Sequence, residues 1–400
     1  MPGPRWIILA VLFAARAATG FQFQSVGSAA RMLMQDLAID YSAIGMLLGA
    51  YLLPGVIVAF PAGLLGQRFR EKKLGLAGLA LMAISGVALS FSEGFAAALV
   101  ARTLGGVGAT IVVLVATKMT TDWFDRREIV LAMSILQMSW PFGAMLALPI
   151  QAYIAQVWGW PAVMISGALF AAAVFCAFVF VSEPKQSLQQ TGIGRSAKLS
   201  GAVLLTVTIA GMVWGAMNLA CVFFFSYAPL LMVAQGLSST VAASLTSLAI
   251  WFTILAIPSG GYLVHRSGRP VTAIVACSMI AAGALALFVA GVYPTISCLI
   301  FGIAVGPLSG AILSLPSKVL GSRERAVGFG VFYTCFYVLM AVGPLAAGHL
   351  QDVFGSPSAA LIAGAALLVA IVPLSLTFVF LSNPLRLAEL GHDAELRAVS

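Results

Sequence analysis

The chain has 400 residues, of which 61% are hydrophobic and only 8% are charged, and its formal net charge is +8 at pH 7. A soluble domain has about a quarter of its residues charged, so this composition excludes an ordinary water-soluble fold and indicates that the bilayer is the chain's main partner. The positive charges stand in short groups between apolar runs and form no basic face with interleaved aromatic residues, which argues against nucleic-acid binding.

The first part of the chain contains six apolar runs, each with roughly the 20 residues that cross a bilayer core. They lie at residues 6–30, 41–66, 74–91, 95–119, 129–157 and 161–181. The first run follows Arg5 and also resembles a signal peptide. Because Arg16 interrupts it and about eleven further spans follow, we interpret it as the first membrane helix.

A polar stretch at residues 182–200 separates these spans from six more. The second set lies at residues 201–233, 238–264, 271–292, 294–316, 327–350 and 359–381. We therefore predict an all-α membrane protein with twelve transmembrane helices in two six-helix bundles. The predicted domains are an N-terminal bundle at 1–181, a cytoplasmic linker at 182–200, and a C-terminal bundle with a short polar tail at 201–400.

A short basic turn occurs at an equivalent place in each half. The pattern of Gly, three mostly apolar residues, a polar residue and Arg occurs with Gly63, Gln67 and Arg68, and 198 residues later with Gly261, His265 and Arg266. A tight, positively charged turn repeated in this way indicates a duplicated bundle, so we expect the two halves to be related by pseudo-two-fold symmetry.

Two further motifs stand inside predicted spans. The fourth span contains Arg102-Thr103-Leu104-Gly105-Gly106-Val107-Gly108, and the eleventh ends with Gly343-Pro344-Leu345-Ala346-Ala347-Gly348. Gly106 and Gly108 allow helix backbones to approach closely. Arg102 lies close enough to the external face to snorkel, and we interpret it first as a structural anchor, with a part in coupling as the alternative.

Together, the twelve spans, the midpoint linker, the repeated turn and these motifs resemble the major facilitator superfamily. In that family the turn joins the second helix to the third and the eighth to the ninth, and it usually carries Asp where this chain has Gln67 and His265. The resemblance implies a transporter that moves a small solute by alternating access, with a binding site between the halves near the bilayer midplane. It implies no cofactor, and it implies function as a monomer.

The distribution of Lys and Arg predicts the orientation. Alternate connections collect most of them: Arg5, then Arg68, Arg70, Lys72 and Lys73, then Arg126 and Arg127, then Lys185, Arg195 and Lys198, then Arg266 and Arg269, then Arg323 and Arg325, and finally Arg386. The other connections have little beyond Arg31. The positive-inside rule therefore places both termini and the linker in the cytoplasm and the chain in the cytoplasmic (inner) membrane.

Arg16 is the principal candidate for substrate binding. It lies about ten residues into the first span, which at about 1.5 Å per residue puts it roughly 15 Å deep. Insertion of arginine there costs about 2.5–3.5 kcal/mol, so the guanidinium should find an anion or a carbonyl partner. No Asp or Glu lies well inside any span, which favours a substrate anion, organic or inorganic, as the partner. The alternative is that Arg16 binds backbone carbonyls or snorkels.

The other candidate substrate-binding residues are polar or aromatic side chains within the spans. Trp214 occupies the position equivalent to Arg16 in the second half. The full set is Gln22, Gln137, Trp140, Trp214, Asn218, Tyr333 and Tyr337. Polar groups in lipid need hydrogen-bond partners, and a cavity is one place to find them. Packing between helices is the alternative, and it is favoured for Trp214 and the tyrosines.

Other functions remain as alternatives. The fifth span has Pro141 without the surrounding glycines of drug/proton exporters in the superfamily, so drug export is the second interpretation. Arg16 followed by Ser25-Val26-Gly27 resembles permeases of the cyanate type, which favours small anions. The three histidines have no paired acids and the five cysteines have no paired spacing, so we expect neither an enzyme nor a metal site. A non-transporting receptor is the third interpretation, and solute flux would exclude it.

Overall fold

The computed structural model describes residues 4–59, 71–124, 128–182, 199–267, 269–321 and 324–398. These ranges contain twelve α-helices, a single 3-10 turn at Pro316–Lys318 and no β-strand. The helices are α1 Pro4–Ser28, α2 Ala30–Asp36, α3 Tyr41–Ala59, α4 Glu71–Ser90, α5 Phe95–Trp123, α6 Ile129–Val179, α7 Gly201–Ala234, α8 Ser239–Ser267, α9 Pro270–Val289, α10 Pro294–Leu313, α11 Arg325–Phe354 and α12 Ser358–Ala398.

Ten of the described helices are long and apolar enough to cross a membrane, and α2 with α3, a pair bent by 118°, makes an eleventh span if the two are counted as one. α6 is two helical arms joined at Gly159, whose φ of 78° breaks the helix in a region that glycine adopts without a steric penalty. Large apolar side chains such as Phe180 and Phe380 are 86% and 78% exposed, as expected for a surface that faces lipid.

The basic turns differ from the sequence prediction in one respect. Gly261, His265 and Arg266 lie within α8, which continues to Ser267, so this copy of the motif is helical and the turn follows it. The apolar run of this span continues through Gly260-Gly261-Tyr262-Leu263-Val264, and the polar residues His265 and Arg266 follow it at the end of the helix. The first copy, with Gly63, Gln67 and Arg68, and most of the predicted linker lie outside the described residues.

Helices α1–α6 pack mainly on one another, and so do α7–α12. α1 runs along α6 and α4 along α5, while α8 runs along α10 and α7 along α12. The most extensive contacts between the two groups are those of α3 with α11 and of α6 with α8. α3 and α8 are the second spans of their halves, and the first arm of α6 and α11 are the fifth. A two-fold rotation that relates the halves would therefore superimpose the α3–α11 contact on the α8–α6 contact.

We call the two ends of the helix bundle the Arg5 end and the Asp352 end, after a residue that lies at each. At the Arg5 end, Arg5 forms a 2.9 Å ion pair with Glu128, and Lys118 forms an ion pair with Glu71. The Asp352 end is the opposite end, where α3 begins and α11 finishes.

The glycines of α5 lie where backbones meet. A methyl group on Gly106 would collide with the backbone carbonyl of Tyr51 in α3, and one on Gly108 would collide with the carbonyl of Gly78 in α4. Close approach of this kind strengthens dispersion contacts between helices in lipid, where no hydrophobic drive remains between them.

Gly106→Ala should therefore destabilise the protein by about 1–3 kcal/mol, because the added methyl forces α5 away from α3. The measurement is thermal unfolding in detergent. The matched control is Gly283→Ala in α9, where an added methyl meets no heavy atom within 4 Å. That change should be neutral or slightly stabilising, since alanine has the higher helix propensity. Equal melting temperatures for the two variants would contradict the assigned contact.

Candidate functional site

Arg16 lies at the middle of α1, which runs from Pro4 to Ser28. Its Nη1 donates to the carbonyl oxygen of Leu136 in α6 at 3.4 Å, which is near the outer limit of a hydrogen bond. Its Nε is buried and has no hydrogen-bond partner. The ion pairs reported for the described part of the chain join Arg5 to Glu128 and Lys118 to Glu71, so Arg16 takes part in neither. The guanidinium is therefore poorly compensated by the protein itself.

Two predicted site residues from the other half are close enough to this guanidinium to interact with its charge. Tyr333 and Tyr337 of α11 are both within electrostatic reach of Arg16. The Tyr337 ring also packs against Gly55 of α3, so it lies in the interface between the halves. The structure thus brings Arg16 of α1 near two tyrosines of α11 that lie more than 300 positions away from it in the sequence.

An aromatic layer continues from these tyrosines to α7. The Trp214 ring centroid lies 6.3 Å from that of Phe332 and 6.2 Å from that of Phe336, and Phe336 lies 4.9 Å from Tyr337. The Trp214 Nε1 donor is buried without a hydrogen-bond partner. Asn218 donates to the Trp214 carbonyl at 2.8 Å, which fixes the amide along its own helix. The layer therefore contains an indole N–H that the protein leaves unsatisfied.

The two candidates on α6 differ in their surroundings. Gln137 is half-buried and directly follows Leu136, whose carbonyl accepts from Arg16. The Trp140 ring lies 5.5 Å from the Phe23 ring of α1, and the Trp140 carbonyl faces Gly20. Gln137 thus adjoins the Arg16 group, whereas Trp140 packs in the interface of α6 with α1.

Gln22 lies apart from the Arg16 group. Its Nε2 donates to the Met82 carbonyl at 2.8 Å, its Oε1 accepts from the Tyr51 hydroxyl at 3.2 Å, and the residue is 4% exposed. Six residues of α-helix make about one and two-thirds turns, so Gln22 and Arg16 point in different directions from α1. Both ends of the Gln22 amide are occupied within the N-terminal half.

Arg102 is buried rather than snorkelling, so that part of the sequence prediction is wrong. Its side chain is 2% exposed. Nη1 donates to the Gln22 carbonyl at 2.8 Å, Nη2 to the Phe23 carbonyl, and Nε to the Leu47 carbonyl at 3.1 Å. Its guanidinium carbon also lies 4.3 Å from the centre of the Tyr51 ring. Arg102 therefore ties α5 to α1 and α3, and its charge is compensated by carbonyl dipoles and a π face.

The family model of the Major Facilitator Superfamily matches residues 12–344. This chain belongs to the major facilitator superfamily. It is accordingly a multi-pass membrane transporter and not an enzyme, and the predicted all-α fold is confirmed.

Comparison with individual members of the superfamily gives a consistent result. The hexuronate transporter of Escherichia coli (strain K12) is 24% identical over 410 residues, covering 92% of this chain and 93% of that one. The hexuronate transporter of Bacillus subtilis (strain 168) is 20% identical and covers 64% of this chain and 63% of its own length.

Solved structures share the fold. A D-xylose-proton symporter has a TM-score of 0.73 at 16% identity, covering 94% of this chain and 97% of its own. A bacterial homologue of the human lysosomal transporter Spinster has a TM-score of 0.71 at 16% identity, covering 97% and 98% of the two chains.

The superfamily motif residues of α11 lie at helix contacts. A methyl group on Gly343 would collide with the Leu219 side chain of α7, and the Pro344 carbonyl accepts from the Tyr227 hydroxyl at 3.4 Å. The same carbonyl faces Gly45 of α3 at close range. This part of α11 therefore contacts α7 within its half and α3 across the interface.

The Arg266 side chain of the basic motif in α8 is exposed.

Asp352 forms a contact between the halves that sequence reasoning missed. Its carboxylate accepts from the backbone N–H groups of Tyr41 and Ser42 at 2.9 and 2.7 Å, and also from the Ser42 hydroxyl. A carboxylate at a helix N-terminus meets unpaired N–H donors and the positive end of the helix dipole. We name this contact the Asp352 clasp. From sequence, Asp352 was only an acid near a helix end, and nothing in its spacing indicated a partner 310 residues away.

Other contacts reinforce the clasp on the same side of Arg16. The Gln156 side chain of α6 donates to the Ser239 hydroxyl and accepts from the Thr240 hydroxyl at 3.0 Å. The Ser247 hydroxyl of α8 donates to the Met145 carbonyl of α6 at 2.8 Å. Hydrogen bonds thus join the halves along both α3–α11 and α6–α8, and the interface is closed at the Asp352 end.

Proposed function

We propose that this transporter moves a small organic anion, a carboxylated sugar of the hexuronate type, across the cytoplasmic membrane by alternating access. In this proposal Arg16 binds the carboxylate. The observation that carries it is the Arg16 guanidinium at mid-helix, with a buried Nε that has no partner and only one long bond to the Leu136 carbonyl. The names of the two curated relatives support the same class of solute.

The chemistry of the surrounding residues suits such a solute. A planar guanidinium binds a carboxylate through two parallel hydrogen bonds, which offsets the cost of keeping the cation at this depth. Tyr333 and Tyr337 supply hydroxyl groups, and Trp214 supplies an unsatisfied N–H and an aromatic face. We assign these groups, with Gln137 and Asn218, to the polar and ring atoms of the sugar. We assign Gln22 and Trp140 to helix packing.

The proposed moving parts are the two halves, at residues 1–181 and 201–400, joined by the linker at 182–200. We place the Arg5 end in the cytoplasm, because Lys and Arg are concentrated on the connections at that end. The Asp352 end then faces outward. The clasp and the α6–α8 hydrogen bonds act in this proposal as the outer gate, which must break before solute can reach Arg16 from outside.

The test is ligand-induced thermal stabilisation of the purified protein. At 100 times its Kd, D-glucuronate should increase the free energy of unfolding of the wild type by about 2.7 kcal/mol. The melting temperature should rise accordingly. D-glucose, which matches it without the carboxylate, should not. Arg16→Gln should weaken glucuronate binding by about tenfold or more, since a hydrogen bond to a charged group contributes about 1.5–3 kcal/mol.

Three results would count against the proposal. Equal stabilisation of wild type and Arg16→Gln by glucuronate would show that the carboxylate binds elsewhere. Equal stabilisation by glucose and glucuronate would show that the site does not recognise the carboxylate. Stabilisation of both proteins by lipophilic cations, with no effect of anions, would favour a drug exporter.

A further inference from the structure

We propose that this transporter is an obligatory exchanger, in which the central binding site changes sides rapidly only when an anion occupies it. The inference rests on the proposed function, because it takes Arg16 as the anion-binding residue. It goes further by stating how transport is driven: by a counter-moving anion of the same class, and not by a proton held on a side chain.

The acidic residues of the sequence all lie away from the middle of the membrane spans. None of the 13 Asp and Glu residues lies in the interior of a membrane span. They stand in the first or last turn of a span, or beyond it: Asp36, Asp40, Glu71, Glu93, Asp122, Asp125, Glu128, Glu183, Glu324, Asp352, Glu389, Asp393 and Glu395. Among the residues that the structure describes, no carboxylate is therefore placed to neutralise Arg16 or to exchange a proton beside it.

The histidines do not replace the missing acids. His265 directly follows the apolar run of the eighth span, in the last turn of α8, and His392 lies in the polar stretch after the twelfth span. His349 lies within the α11 span, but it is exposed on the outer surface of the described helices. Within the described part of the chain, the ionisable side chains close enough to interact with the Arg16 charge are the phenols of Tyr333 and Tyr337.

The two arginines within spans, Arg16 and Arg102, differ in how well the protein compensates their charge. Arg102 has backbone carbonyl acceptors for Nε, Nη1 and Nη2 and the Tyr51 ring over its face, so its charge is compensated whether or not a ligand is present. Arg16 has one long bond and a buried Nε without a partner. The charge of Arg16 is thus compensated fully only when the site holds an anion.

The uncompensated charge of Arg16 has an energetic consequence for the transport cycle. To change sides, the transporter passes through a state closed at both ends, in which the centre loses its contact with bulk water. An unpaired cation in that state has a desolvation penalty of several kcal/mol, whereas an ion pair with a bound carboxylate recovers much of it. Each 1.4 kcal/mol of difference slows the step tenfold. The empty protein should therefore change sides much more slowly than the loaded one.

The experiment measures uptake of radiolabelled D-glucuronate into proteoliposomes containing the wild-type protein. One set of vesicles is preloaded with unlabelled D-glucuronate, and the matched set with an equal concentration of D-glucose. We expect initial uptake to be at least tenfold faster into the glucuronate-loaded vesicles. An inward proton gradient imposed on the glucose-loaded vesicles should not restore the rate.

Either of two results would overturn the inference. Equal uptake into both sets would show that the empty site returns freely, which is uniport. Fast uptake into glucose-loaded vesicles driven by a proton gradient would show proton symport. In both cases the glucuronate stabilisation of the purified protein would still hold, so the proposed function would stand. Absence of both stabilisation and uptake would remove the proposed function and this inference together.

A variant comparison adds a second readout. Arg16→Lys keeps the charge, and Arg16→Gln removes it at similar length. The ratio of exchange to net uptake, measured at saturating substrate, should stay high in Arg16→Lys and fall towards one in Arg16→Gln. Where Arg16→Gln shows too little flux to measure, hydrogen exchange of the Tyr41 and Ser42 amides reports opening of the Asp352 clasp in its place. In the ligand-free protein, hydrogen exchange of these two amides should be faster in Arg16→Gln than in the wild type. Equal exchange rates would contradict the inference.

Discussion

Replacing Arg102 with methionine should lower the free energy of unfolding by about 3–5 kcal/mol, because three hydrogen bonds from a charged donor, each contributing about 1.5–3 kcal/mol, outweigh the desolvation penalty that is recovered. The Gln22, Phe23 and Leu47 carbonyls would lose the donors that Arg102 supplies, and α5 would lose its connection to α1 and α3. In lipid no water replaces those donors, so the loss is not compensated. Thermal unfolding in detergent, without ligand, measures the effect.

The control for this prediction is the same substitution at Arg16, the other arginine within a span. Arg16→Met removes a cation whose Nε has no partner and whose Nη1 makes a single long bond. The ligand-free stability of that variant should be unchanged or higher, since the desolvation penalty of the charge is removed. Equal losses at both positions would mean that Arg16 is also a structural anchor.

Arg102→Lys tests the geometry of the contact. Lysine keeps the charge but lacks the planar fork that reaches several carbonyls at once. We expect stability between that of the wild type and that of Arg102→Met. Full recovery by lysine would show that the charge alone holds the helices, and that the individual hydrogen bonds contribute little.

Asp352→Asn should shift the protein towards a state that is open at the Asp352 end, by about 1–3 kcal/mol or roughly 5- to 150-fold in population. The carboxylate accepts from two backbone N–H groups and a hydroxyl at the start of α3. The neutral amide keeps one acceptor and loses the attraction to the positive end of the helix dipole. Because the clasp joins the halves, its loss should favour separation there.

Spin labels at Glu93→Cys and Val292→Cys would measure this separation. Glu93 lies in the turn between α4 and α5, and Val292 in the turn between α9 and α10, so they report on opposite halves at the same end. Both are exposed, and the five native cysteines would be replaced by alanine. The Asp352→Asn sample should show a larger population at long distance.

Asp40→Asn is the matched control for the clasp. Asp40 also caps α3, accepting from the Ala43 N–H at 2.8 Å, but it belongs to the same half as that helix. Its substitution should weaken the helix start without changing the distance between the labels. A distance change equal to that of Asp352→Asn would mean that fraying of α3, and not loss of the inter-half contact, opens this end.

The local pattern of the sequence was enough to predict the helical membrane fold and two close contacts between helices. Runs of about 20 apolar residues can satisfy their backbone in lipid only as helices, so span number and helical fold followed from hydropathy. The glycines at positions 106 and 108 were predicted as close-contact positions, and they lie against the backbones of Tyr51 and Gly78. Each of these features depends on a few neighbouring residues or on the solvent, which is why sequence alone could predict it.

The roles of Arg16 and Arg102 could not be predicted from the local pattern of the sequence. Both were recognised as costly cations within spans, and depth along the helix was the only guide to their roles. Depth placed Arg102 within reach of one face, yet it is 2% exposed and bound to carbonyls of two other helices. The rotation of each helix about its axis, and the carbonyls that its neighbours present, depend on packing between distant segments.

By itself, the sequence determined that this protein is a twelve-span membrane transporter of the major facilitator superfamily with a cation at mid-helix. Only the tertiary structure decided which arginine is satisfied and which is not, that Tyr333 and Tyr337 lie beside Arg16, and that Asp352 closes one end. The physical reason is distance along the chain. Hydropathy and helix periodicity act over tens of residues, whereas these contacts join residues about 55 to 320 apart and exist only after the helices have packed.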